Sequence, residues 1–153
     1  MIIPVQNETH EVAFANPADI SKSLIRSRNW SAVIIQELVD TTGNITSARK
    51  SLRGVEAFLH KHESSILSRV DKVPTVAVKN KDTQRAFVLN QASDEEKTLL
   101  RDTIETVEVW NGLLIELEGE KEQLEYMRRM LERTTDWLVQ YINWHKFELR
   151  ELV

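Results

Sequence analysis

Two groups of cations are the residues of this chain best suited to hold a partner. The first is Arg49, Lys50 and Arg53, with Lys61 and Arg69 further along. The second is Lys72, Lys79, Lys81 and Arg85, beside Phe87. A phosphate backbone needs projecting cations, and an unstacked base needs a flat side chain to lie on. The second group, with its phenylalanine, meets that minimum; the plain alternative is ordinary surface lysines and a core Phe87. A third grouping is aromatic. In "DWLVQYINWHKF", Trp137, Tyr141 and Trp144 follow at helical spacing, with Phe147 three beyond. Such residues form a core or oligomer face, or an anchor for a partner.

Catalytic chemistry is hard to assemble from this sequence. Its histidines are His10, His60, His62 and His145. His60 and His62 are two apart and point to different sides of a helix, so they cannot make an i, i+4 zinc pair. The chain has no Glu-x-x-His motif of a di-iron bundle, no glycine-rich phosphate loop and no cysteine for a thiolate site. No serine has the strand–turn–helix context of a nucleophile elbow. Glu116, Glu118, Glu120, Glu122 and Glu125 read as a solvated helix face balanced by Lys121, Arg128 and Arg129. The expectation is a protein that is not an enzyme and uses no metal or cofactor.

The elements that carry these residues follow from composition and periodicity. The chain has 153 residues, room for one domain, with 41% hydrophobic and 29% charged residues. Only 4 glycines and 3 prolines interrupt it, which favours long helices over a turn-rich sheet fold. No apolar run is long enough for a membrane span, and the N-terminus lacks the basic and apolar regions of a signal peptide. A cytoplasmic protein is expected, and the sequons at Asn7, Asn29 and Asn44 then occur by chance. Net charge is −4, concentrated late: residues 94–153 hold 8 basic and 15 acidic side chains, against 4 and 2 in residues 71–93.

In "ANPADI", Asn16 is placed to cap a helix, Pro17 to begin it and Asp19 to favour its positive end. From Ile20, steps of four and three reach Leu24, Ser27, Ser31, Ile34, Leu38, Thr41, Ile45, Ala48, Leu52, Val55, Leu59, His62 and Ile66. The rhythm passes through "DTTGN" without a skip, which predicts one helix over residues 17–70 rather than two joined by a loop at 41–44. The second helix is predicted over 94–150. Ser93 and Glu96 form a capping box, and the seam steps from Leu99 through Thr103, Thr106, Trp110, Leu113, Leu117, Glu120, Leu124, Met127, Leu131, Thr134 and Leu138 to Tyr141. Between them, residues 71–92 read as a basic connection. "TVAV" suits a short strand, and "DTQRAFVLNQ" suits a short helix capped by Asp82 or a second strand, the helix being preferred. Residues 1–15 read as irregular, with an extended piece at "IIPV".

The predicted architecture is therefore all-α: one domain, built as a long antiparallel, coiled-coil-like hairpin. Its apolar surface exceeds one seam. Leu100, Val107 and Leu114 flank the second helix on one side, Met130, Trp137 and Trp144 on the other, and Trp30, Ile35 and Phe58 add bulk to the first. A hairpin cannot bury both stripes, so self-association into a helical oligomer is expected.

Taken together, the long first helix, "KNKDTQRAF" and "VEVWNGLLIELEGEKEQLEYMRRMLERTTDWLVQYINWHKF" resemble, over residues 18–147, phage recombination mediators of the UvsY type. The resemblance implies an oligomeric helical protein that binds single-stranded DNA. It implies a role in loading a recombinase onto strands covered by single-strand-binding protein, in a bacterial host, without catalysing a reaction. It implies DNA contacts at Lys72, Lys79, Lys81 and Arg85. The acidic last third departs from that pattern. The alternative class is a protein–protein adaptor or inhibitor, or a structural assembly protein, acting through the acidic face and the Trp137–Phe147 cluster with no nucleic acid.

Overall fold

The computed structural model describes residues 17–73 and 80–151, with side chains described for 19–73 and 80–146. The expected Asn16 cap, the irregular N-terminus, the "TVAV" strand and Lys79 lie outside the described residues. Three helices follow one another: α1 (Pro17–Leu67), α2 (Lys81–Gln91) and α3 (Asp94–Glu151).

The apparent breakpoint in α1 is helical throughout. Gly43 does not take a positive φ, and a side chain there would meet nothing within 4 Å. The turn formers around it are outweighed by the ladder beneath them: all fourteen stepped positions from Ile20 to Ile66 are buried or half-buried. α1 ends three residues before the expected position. Arg69 N–H donates to the Ile66 carbonyl and Val70 N–H to that of Leu67, each at 3.1 Å, so the chain leaves the helix in tightened three-residue turns.

In the connection, the short helix is the reading that holds for residues 81–91, but its cap is Asn80 rather than Asp82. The Asn80 side chain accepts from the Asp82 N–H at 2.9 Å, which leaves the Asp82 carboxylate in the first turn, beside the positive helix end. α3 begins on its capping box. Ser93 N–H donates to the Glu96 carboxylate at 3.0 Å, and Glu96 N–H donates to the Ser93 hydroxyl at 3.3 Å.

The seam of α3 differs from the expected one in its first half. Leu99, Thr106, Leu113 and Glu120 are exposed, whereas Leu100, Val107 and Leu114 are buried. From Leu124 to Tyr141 the expected positions are buried or half-buried. The inward line passes Leu117, Lys121, Leu124 and Met127, so two consecutive steps of three shift the phase.

The chain packs as two compact units, residues 1–43 with 118–153 and residues 44–117. Within each, α1 and α3 pair antiparallel. The 44–117 unit has a three-helix core: Leu59 and Ile66 of α1, Val88 of α2, Ala92 after it, and Leu100 and Val107 of α3. Ile45, Ala48 and Leu114 continue it as a second cluster. The other unit, described over 17–43 and 118–151, is a two-helix pairing. Ile20, Ile34, Leu131 and Leu138 are buried in it, Ile20 packing with Leu138 and flanked by Leu24, Tyr141 and Ile142. It also buries Ser27, whose hydroxyl meets that of Thr135 at 2.6 Å.

Candidate nucleic-acid interface

The 44–117 unit places the first cation group on the side of α1 away from the core. Its core side is occupied by Ile45, Ala48, Leu52, Val55, Leu59 and Ile66. At 100° per residue, Lys50, Arg53 and Lys61 then fall on the opposite side, with Arg49 and His60 on its flank, and all are exposed. Between Asn44 and Leu67, Glu56 is the one exposed acid. The remaining exposed residues here are mostly small: Thr46, Ser47, Ser51, Gly54, Ala57, Ser64 and Ser65. Long cations over a low surface can reach a polyanion along the helix.

The second group is dispersed. Lys72 and Lys81 are exposed. Arg85 is half-buried, and its Nε donates to the Glu63 carboxylate at 3.3 Å, tying α2 to α1. Phe87 is half-buried on the same helix that seats Val88 in the core. Arg69 is engaged as well, since its guanidinium donates to Glu96. The Ser93 backbone N–H and that guanidinium together hold the Glu96 carboxyl below the usual carboxylate range.

Phe58, which shares a strip of α1 with Lys50 and Lys61 and lies across the helix from Arg49 and Arg53, is an aromatic the sequence reading counted only as apolar bulk. Phe58 is 44% exposed, with its ring tilted 55° against His62 at a centroid distance of 4.3 Å. It borders a recess of about 270 Å³ lined by Gly54, Val55, Asp102, Thr103 and Thr106. The available signal was position: Phe58 is one residue off the ladder at Leu59, so it cannot share that residue's burial. A second recess of about 300 Å³ lies between α1 and α2, where His60, Lys81 and Arg85 alternate with Glu56 and Glu63. No group of three metal-ligating side chains occurs among the described residues, and none of their helices is long and apolar enough to cross a membrane.

The C-terminal aromatic cluster belongs to the other unit and divides. Tyr141 joins the Ile20–Leu138 core and Trp137 stacks on it, at 5.5 Å and 26°. Trp144 is 69% exposed. Phe147 lies on α3, its side chain outside the description. In the same unit Ile25, Val33, Ile35 and Val39 of α1 and Tyr126 of α3 are also exposed. Comparison of the chain with family models, with curated proteins and with solved structures gives no match.

Proposed function

We propose that this chain is a non-enzymatic helical accessory protein that self-associates and holds single-stranded DNA, in the manner of a recombination mediator. The observation that carries the DNA part is the cationic outer side of α1, where Arg49, Lys50, Arg53 and Lys61 are exposed with Glu56 as the one exposed acid between Asn44 and Leu67. It supplies a local positive field on a chain of net charge −4. Lys72 and Lys81 extend the set of exposed cations, while Arg85 serves the packing of α2. The pattern resemblance of residues 18–147 supplies the mediator role, with a recombinase or a single-strand-binding protein as the partner.

Self-association draws on the other unit. Large apolar side chains stand in water on both of its helices, Ile35 and Val39 on α1 and Trp137 and Trp144 on α3. A two-helix pairing has no interior left for them, and a second copy does. The same aromatic surface supports a second reading, an adaptor that captures a protein partner through Trp144 without nucleic acid.

Fluorescence anisotropy with a labelled single-stranded oligonucleotide separates the two. The mediator reading predicts binding at low salt that weakens as salt rises, and that is lost in a variant with Arg49, Lys50 and Arg53 all changed to Glu. Absence of binding at low salt by folded, assembled protein would leave the adaptor.

A further inference from the structure

We propose that the recess beside Phe58 receives one base of a single nucleic-acid strand whose backbone runs along the cationic side of α1. This rests on the reading above that α1 holds such a strand, and names the place where the base goes. Four observations point to a base rather than to phosphate or to water.

The first is the platform. Phe58 is exposed although Val55, Leu59 and His62 around it turn inward, and its contact with His62 restrains the ring. Base–aromatic stacking needs such a fixed, accessible face and tolerates any base. The second is the floor. Gly54 lies one turn before Phe58, and open space stands where its side chain would be. The third is the opposite wall. The Thr103 and Thr106 hydroxyls already donate to the carbonyls of Leu99 and Asp102, at 2.7 Å each, so toward the recess they can only accept. The Asp102 side chain is an acceptor too, and its charge opposes phosphate. The rest of the recess is lined mainly by apolar atoms, which suits the flat face of a base and not a phosphate. The fourth is the surroundings. Lys50, Gly54 and Phe58 follow at i, i+4 and i+8, with Lys61 three beyond, so exposed cations bracket the recess along one strip of helix. Its volume of about 270 Å³ lies just under the roughly 300–1,000 Å³ of pockets for drug-sized ligands, which suits a single planar ring system.

The test is anisotropy of the full chain with a labelled oligodeoxycytidylate and with an abasic strand of equal length, over a range of salt. The intact strand should bind about fivefold or more tighter than the abasic one. Phe58→Ala should remove that preference and leave the salt dependence unchanged, because no cation is lost. Gly54→Leu, which fills the recess from a position with open space around it, should do the same. If both variants keep the full preference for the intact strand, the recess takes no base, and the cationic side of α1 still stands as a phosphate surface. If the unaltered protein binds neither strand at low salt, the nucleic-acid reading fails and the recess falls with it. If it binds both strands equally, only the backbone is held, and the proposal is overturned.

Discussion

Glu96 joins three roles in one side chain. It closes the capping box of α3, meets Arg69 beyond the end of α1, and has its carboxyl held below the usual range by the Ser93 N–H first and by Arg69 second. A carboxyl whose value falls on folding stabilises the native state above its ordinary value of 4.5, and that contribution disappears as the pH falls through the lowered one. Glu96→Gln keeps the capping geometry and removes the charge. It should therefore unfold at a lower temperature than the parent at pH 7, with the gap closing in acid below the carboxylate range. Thermal unfolding followed by circular dichroism at neutral and acid pH checks this, and a gap that widens in acid would contradict it. The part-buried hydroxyl pair of Ser27 and Thr135 makes a second case. Ser27→Ala leaves the Thr135 hydroxyl without this partner and should cost about 0.5–1.5 kcal/mol. Replacing both, with Ser27→Ala and Thr135→Val, should cost less than the sum of the single changes in urea unfolding. At this scale the sequence was only partly legible. Composition and spacing marked Arg49, Lys50 and Arg53, and the step beside Leu59 marked Phe58 as exposed, yet nothing local told that Arg85 would be drawn to Glu63. That outcome depends on where α2 packs.

α1 and α3 differ in how plainly their seams can be read. Along α1 the ladder residues are flanked mainly by polar or small neighbours, so one phase is favoured, and it carries the helix through "DTTGN". Gly43 is then a helix interior residue in open space. Gly43→Ala should stabilise the protein by about 0.5–1 kcal/mol in urea unfolding, since it removes backbone freedom from the unfolded chain and meets no obstacle. A destabilised Gly43→Ala protein would mean that the chain turns there. In the first half of α3 the choice is finer. Leu99 and Leu100 are adjacent, as are Leu113 and Leu114, so shifting by one residue keeps the stripe greasy. What selects the inner line is the third element: Leu100 and Val107 share a cluster with Val88 and Ala92. Periodicity within one helix cannot report a neighbour supplied by another. Val88 is the corresponding lock of α2, and Val88→Ala should loosen the 44–117 unit by about 1–3 kcal/mol, read in the same unfolding experiment.

For the molecule as a whole, the two units divide the work that the account assigns. The 44–117 unit carries a three-helix core and the cationic side of α1. The other has a thinner core and leaves Ile25, Ile35, Val39, Trp137 and Trp144 exposed. Of the extra apolar bulk counted in the sequence, Ile35, Phe58, Trp137 and Trp144 are exposed, whereas the Leu100, Val107 and Leu114 stripe is buried within the chain. What covers the exposed ones was not legible, because a second copy leaves no mark on periodicity. Changing Trp137 and Trp144 together to Gln should reduce the assembled mass while leaving helix content by circular dichroism near that of the parent, Trp144 being outside the core. The most direct test of the whole account is the mass of the unmodified protein in solution, by light scattering during size-exclusion chromatography, with and without a single-stranded oligonucleotide at low salt. The account predicts a multiple of the 17.8 kDa chain mass that gains the mass of bound oligonucleotide and loses it when salt is raised. A 17.8 kDa species, unchanged by the oligonucleotide, would contradict it.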